Sequence, residues 1–585
     1  MTRGKLSLSA AVARRRWSAL CLLAGAALLV SAAAPAVARP VRIDAPPALL
    51  ELITRHLETD DGGSVAGARD ALRRLRRQIP ELVSTEGYFA AEAKLSETDG
   101  GPILTVLPGR RFVIADVAIK IDGAIATERR QSIIGNWSLK TGAPFRQADW
   151  DNAKQEVLRR LLAREHPKAA TIASEAEVDL DAGTVRLAAT FDAGARYRFG
   201  EIRYLGLSRY HPDLIARYNN VIQAGAPYRS APLLALQSDL QNAPYFSSVT
   251  VELGDDTTTA DDGVVTAPLL VRVEEREPFQ VGFGVGYSSN TRARTEMNFR
   301  SSDLLRRGWE LIGGVRLEQL RQSTYADIFL PPDTSRYRYS VGGIFEHSDI
   351  QGLDLTRLAV GGNISQKRGA ADIRLALNWR NEIRRPSAGL RTKNQALTVD
   401  ADWEWRDGTE RGDPDVGQSA RVQIGGASKA LLSDQDFVRV YSRYARTFRL
   451  SKNNTFTARV EGGVTVASSR TGIPQDFLFR TGGTNTVRGY AYQSLGVKEG
   501  SAIVGGLYFA AASAEVVHWL SPQWGAAAFV DAGGASDDRR NLNTAAGYGV
   551  GARWRSPVGV FAGDLAYGQR TRKAMLAISI TVPFR

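Results

Sequence analysis

Cysteine is almost absent from this chain of 585 residues: the one thiol is Cys21. It lies in a leading segment, residues 1 to 38, that has no acidic residue. That segment carries Arg3, Lys5, Arg14, Arg15 and Arg16, runs apolar from Trp17 to Val30 and closes on Ala36-Val37-Ala38. The pattern predicts a secretory signal peptide cut after Ala38. Its apolar run falls short of the ~20 residues a spanning helix needs, which argues against the rival reading as a membrane anchor. The mature chain is then expected to be free of cysteine. An exported protein without disulfides must be held by size, by sheet closure or by a membrane.

Other absences narrow the function. The five histidines, His56, His166, His211, His347 and His518, stand far apart with no ligand spacing, so neither a metal nor another cofactor is expected. No Gly-x-Ser-x-Gly, His-Glu-x-x-His or Gly-x-x-x-x-Gly-Lys-Ser/Thr occurs, so the chain is not expected to be an enzyme. The formal charge of +13 falls to +8 without the five leader charges, and the basic residues are scattered rather than clustered. Nucleic acid is therefore not an expected partner. No later segment approaches a spanning helix, so any membrane crossing must be made by strands.

Two rhythms divide what is present. From about Ala45 to Arg276 helical and extended patterns alternate and partly recur. KTGAPFRQADW (140 to 150) parallels QAGAPYRSAPL (223 to 233), and each is followed by an amphipathic helix pattern. The first pattern has Trp150, Ala153, Val157, Leu158 and Leu161; the second has Leu233, Leu236 and Leu240. An earlier, weaker copy contains TEGYFAAEAKL (85 to 95). Three α+β modules are expected, over 41–110, 111–195 and 196–276, each with a helix pair and three strands.

After Glu277 the period becomes two. Phe279, Val281, Phe283, Val285 and Tyr287 alternate with glutamine and glycine, and Leu576, Ile578, Ile580, Val582 and Phe584 alternate with Ala577, Ser579, Thr581 and Pro583 at the other end. Sixteen such runs are expected between 277 and 585. The opposite faces carry charges such as Arg374, Asp402, Arg439 and Arg443, too many for a dry sandwich core. A transmembrane barrel keeps such residues in its lumen, since an arginine facing lipid at mid-bilayer costs ~2–4 kcal/mol. The expected fold is therefore α+β modules followed by an all-β antiparallel transmembrane barrel.

Four stretches carry a resemblance: Gly87-Tyr88-Phe89 together with the Gly-Ala-Pro-aromatic turns; Val487-Arg488-Gly489-Tyr490; Phe529-Val530-Asp531-Ala532-Gly533; and GVGARWRSPVG (549 to 559) running on to Asp564. Together they resemble the outer-membrane assembly family that includes BamA and TamA, whose members carry periplasmic POTRA domains before a sixteen-strand barrel. Three modules point toward the TamA type. The second module has Glu165-His166-Pro167 where the family has Gly-Tyr-aromatic or Gly-Tyr-Pro, and the chain ends Phe584-Arg585 rather than on the aromatic.

The resemblance implies that residues 469 to 504 fold back into the lumen, with Arg488 paired to Asp531. An arginine in a partly dry lumen needs a carboxylate, and strand parity puts Asp531 inside if Val530 faces lipid. The alternative is a solvated loop arginine. The resemblance also implies an outer-membrane location with the modules in the periplasm, unfolded outer-membrane protein clients of the autotransporter kind, and a TamB-like partner anchored in the inner membrane. Outer-membrane lipid surrounds such a barrel.

A lateral seam is expected between the first strand (Phe279, Val281, Phe283) and the last (Ile578, Ile580, Val582, Pro583, Phe584). Pro583 has no N–H for the ladder there, although it also reads as a simple strand terminator. The rival functions are a polypeptide transporter of the two-partner-secretion kind and a solute pore.

Overall fold

A computed structural model describes residues 42–56, 65–98, 101–219, 221–407, 416–557 and 559–581. The expected signal peptide, Cys21 and the seam residues Val582, Pro583 and Phe584 lie outside the described residues. Two compact units are present, Met1–Arg196 and Tyr197–Arg585.

The first unit contains two small sheets of one topology. In one, Arg42–Asp44 runs parallel to Gly101–Leu107, which pairs antiparallel with Glu92–Thr98. In the other, Val113–Asp122 is parallel to Thr184–Asp192, which pairs antiparallel with Ala170–Asp179. Two helices connect the first and second strands of each sheet: Pro47–His56 and Val65–Ser84, then Thr127–Gly135 and Gln147–Leu162. The last of these places Trp150, Ala153, Val157 and Leu161 on one buried stripe against Val185, Leu187 and Phe191.

The second unit opens with a third sheet of the same order. Tyr197–Leu205 lies parallel to Val265–Glu275, which is antiparallel to Phe246–Leu253. The repeated Gly-Ala-Pro-aromatic-Arg sequences make the same turn. Gly142 and Gly225 have φ of +85° and +84°, in the left-handed region that glycine enters without steric cost. Their N–H groups donate to Ile114 and Phe199, and Phe145 and Tyr228 go into the two cores. Arg146 and Arg229 then stand at the N-caps of helices Gln147–Leu162 and Ser230–Gln241.

The rest is a sixteen-stranded antiparallel sheet in sequential order. Its strands are Phe279–Ser288, Arg292–Leu304, Trp309–Glu318, Arg321–Phe329, Arg338–Ile350, Leu353–Arg368, Ala371–Pro386, Thr392–Asp407, Gly417–Ala427, Phe437–Ser451, Asn454–Ala467, Tyr508–Trp519, Trp524–Ser536, Ala545–Ser556, Gly559–Gly568 and Lys573–Thr581. Alternation along each strand turns the apolar face outward. Val438 and Val440 are exposed while Phe437 is buried, and Val530 is exposed beside a buried Asp531. A cavity of about 620 Å³ inside the wall is lined by Arg374, Arg380, Asp400, Asp402 and Arg439 among others, so the lumen is polar.

One expected strand starts late. The run from 503 reads as strand, but the twelfth barrel strand begins at Tyr508. Ala502–Val504 instead pairs with Val497–Glu499 as a separate hairpin. The loop between the eleventh and twelfth strands therefore spans 468–507.

The third small sheet meets one end of the barrel. The Tyr245 hydroxyl donates to the Gly308 carbonyl at 2.8 Å, Tyr210 and Ser302 hydroxyls lie 3.1 Å apart, and Arg336 pairs with Asp239 at 2.6 Å. The turns after the second and fourth strands are thus at this module end. Every turn from an odd to an even strand, and the 468–507 loop with them, lies at the far end.

Candidate functional site

The loop enters the barrel because its own sequence supplies a small apolar core and two charged anchors. Ile473, Phe477 and Leu478 pack with Ala396 and Phe437, and Val487, Tyr490 and Leu495 pack with Ala545. The tip is closed on itself: Thr481 and Leu495 form a backbone bridge, and the Gly482 N–H donates to Thr486 Oγ1 at 3.0 Å.

Arg488 projects from that tip into the wall. It is 6 % exposed and Asp531, on the thirteenth strand, is fully buried. Arg488 Nε donates to Asp531 Oδ2 at 2.7 Å and Nη2 to Oδ1 at 2.9 Å, a bidentate fork, while the Arg488 backbone N–H adds a third bond at 3.0 Å. The guanidinium carbon lies 3.4 Å from the centre of the Phe529 ring. Ser513 donates a further hydrogen bond to Asp531 at 2.7 Å, so both carboxylate oxygens are occupied.

The network extends beyond that pair. Arg488 Nη1 reaches Glu515 at 2.6 Å and Asp564 at 3.2 Å, and Arg553 bridges the same two carboxylates at 2.7 and 2.6 Å. Glu515, Asp531, Arg553 and Asp564 come from strands twelve to fifteen, one from each. Two guanidiniums and three carboxylates are shared among them. Each charge therefore has partners that offset its desolvation. Glycine makes the room: a Cβ on Gly547 would collide with the Arg488 carbonyl, and one on Gly489 would sit 2.8 Å from the Gly568 nitrogen. Gly489 also has φ of +87°.

The root of the loop has a second anchor on strands six and seven. Asp476 accepts from Arg357 and, at 3.2 Å, from Arg380. The Gln475 N–H donates to Glu382 at 2.8 Å, and Glu499 pairs with Arg384 at 3.0 Å. The loop is a strut between two walls of the lumen.

All four residues of the expected tip motif fall at this site. Val487 is buried, Arg488 meets Asp531, Gly489 packs on Gly568, and the Tyr490 hydroxyl donates to the Ala546 carbonyl at 2.9 Å. Sequence reasoning did not assign Glu515, Arg553, Asp564 or Asp476. Arg553 and Asp564 lie in or just after the quoted GVGARWRSPVG stretch, and strand alternation puts Glu515 on the inward face of Ser513.

At the expected seam Phe279, Val281, Phe283 and Ile578 are exposed on the outer surface. Ile580 pairs through its backbone with Phe561 on the fifteenth strand. Among the described residues the first and last strands share no ladder pair, and one hydrogen bond joins the last strand to the turn after the first, from the Ile578 N–H to Ser289 Oγ at 2.9 Å.

A family model described as the Omp85 superfamily domain matches residues 278–577. Among solved structures, BamA from Haemophilus ducreyi lacking POTRA domains 1-3 aligns with a TM-score of 0.63 at 17% identity, covering 80% of this chain and 98% of that one. CdiB from Acinetobacter baumannii aligns with a TM-score of 0.45 at 13% identity, covering 81% and 90%. The first of these alignments shows a shared fold.

Proposed function

The chain belongs to the Omp85 superfamily, and from that premise we propose that it is an outer-membrane insertase of the TamA type. The three small sheets are POTRA modules in the periplasm, over 41–110, 111–195 and 196–276. They receive unfolded barrel clients of the autotransporter kind and work with a TamB-like protein anchored in the inner membrane. The barrel sits in outer-membrane lipid and passes the client sideways.

The observation that carries this reading is the seam, where among the described residues a side-chain hydrogen bond stands in for a ladder. In lipid an unpaired backbone group costs several kcal/mol, because no water reaches it. A client strand that adds to the exposed edge gains the bonds that lipid cannot offer, so opening the seam templates insertion. Client folding and burial supply the free energy. The polypeptide-transporter alternative requires the loop to leave the lumen, against two sets of ion pairs.

The test is a disulfide across the seam, Ser289→Cys with Ile578→Cys, in a chain whose only native cysteine is Cys21. Oxidation is expected to stop insertion of a barrel client into proteoliposomes and reduction to restore it. Full insertion with the seam locked overturns the lateral route.

A further inference from the structure

The two sides of the seam are also joined at the far end by the loop tip. On the first-strand side, Asn290 lies in the turn that follows Ser288. Its Nδ2 donates to Thr484 Oγ1 at 3.1 Å, and its Oδ1 accepts from the Thr484 N–H at 3.3 Å. This reciprocal pair links residues 194 apart in sequence. A Cβ on Gly483 would stand 2.9 Å from Asn290 Oδ1, so the tip backbone lies close against that side chain. Ser289, one residue earlier, is the group that meets the last strand.

On the other side, the Tyr490 hydroxyl accepts from the Arg570 N–H at 2.9 Å, in the turn that leads into the last strand. The Arg570 side chain donates to the Thr544 carbonyl at 2.6 Å. Seven residues of loop, Thr484 to Tyr490, therefore bridge the turns that flank the seam.

The two attachments are unequal. The tip is fixed to strands twelve, thirteen and fifteen by buried, charge-assisted bonds from Arg488, whereas Asn290 holds it through two neutral bonds. We infer that Asn290 is the release point of the seam: its pairing with Thr484 latches the first strand to the plug loop, and opening parts this contact while the tip stays on strands twelve to fifteen. The inference rests on the reading that the seam opens. It adds a named positioning residue and a direction, with the first strand moving and the loop remaining.

The test places spin labels on the outward positions Val285→Cys and Leu576→Cys of the full chain in lipid nanodiscs and measures the fraction of the long-distance population. Asn290→Ala and Thr484→Val are each expected to raise the open-to-closed ratio roughly two- to tenfold, as for loss of a net hydrogen-bond contribution. Asn290→Ala removes both bonds and Thr484→Val only the one from Asn290 Nδ2, so the double variant is expected to do no more than Asn290→Ala alone. Heat-modifiable gel migration reports that each variant has folded.

Three results overturn the inference. If neither single variant changes the ratio while a client still parts the labels, the latch falls and the lateral route stands. If the single effects add, Asn290 and Thr484 act separately and the latch falls. If the labels part in no variant and with no client, the lateral route fails and the latch with it.

Discussion

The second sheet of the first unit and the barrel alternate with the same period and hide opposite faces. Along Thr184–Asp192, Val185, Leu187, Ala189 and Phe191 are buried while Arg186 is exposed. Along Phe437–Ser451, Val438 and Val440 are exposed while the guanidinium of Arg439 lies inside over the Tyr441 and Phe479 rings. Period two identifies a strand in either solvent. What identifies the membrane is the face that carries the charges, because a polar lumen tolerates them and a packed module core does not.

The comparison breaks first at Asp531. Although it belongs to the wet interior by parity, it is as dry as Phe191 in the module core. Asp531→Ala is therefore expected to cost about 3–5 kcal/mol, the penalty of leaving one partner of a buried ion pair behind. Glu515 and Asp564 remain beside Arg488 and hold the loss toward the lower end of that range. The temperature at which the folded band on a gel converts to the unfolded one checks this. If Asp531→Ala left that temperature unchanged, the lumen would be wet throughout and the clasp would carry no weight.

A smaller effect sharpens the contrast on the barrel side. Val440→Arg puts on the lipid face the same charge that Arg439 carries inside, one residue away. It is expected to cost ~2–4 kcal/mol near the bilayer midplane. The yield of folded barrel in vesicles measures it. Equal yields for Val440→Arg and the parent would mean that the outward face of this strand does not meet hydrocarbon.

Strands were legible because alternation is local: sixteen runs could be marked from neighbouring residues alone. The exception follows the same logic. Ala502–Val504 alternates like a wall strand, yet its partner is Val497–Glu499 rather than the eleventh strand, and Gly505-Gly506 separates it from Tyr508. The site was legible only where a motif named it. Arg488 and Asp531 could be paired from the resemblance and from parity, but Asp564 meets Arg553 because Gly551 is opposite it in register. Register across strands depends on every preceding turn and leaves no mark at the residue itself. Asn290 and Thr484 lie even further from local reasoning.

The smallest expected effect lies on the module side, at the one ionisable side chain buried among the described residues of the second sheet's unit. His166 is fully buried, and Glu165 before it takes φ of 62° where the family pattern has glycine. His166 Nδ1 lies 3.3 Å from the Ala195 carbonyl, so Nδ1 carries the proton and donates, while Nε2 is buried without a partner among the described residues. Burial lowers the pKa of the ring below its ordinary value of about 6.5. The folded module therefore resists a proton that the unfolded chain accepts. Its contribution to stability is fully present above pH ~6.5 and is lost as the pH falls below that value toward the folded-state pKa. In the full chain, hydrogen exchange of peptides from residues 150–193 is expected to quicken from pH 7 to pH 5, after correction for the intrinsic rate, and His166→Leu is expected to flatten that dependence. An unchanged slope in His166→Leu would assign the acid sensitivity to carboxylates such as Asp151, whose pKa is lowered, chiefly by Lys154 and Gln147 acting against the larger cost of its burial, and the buried ring would then be no more than packing.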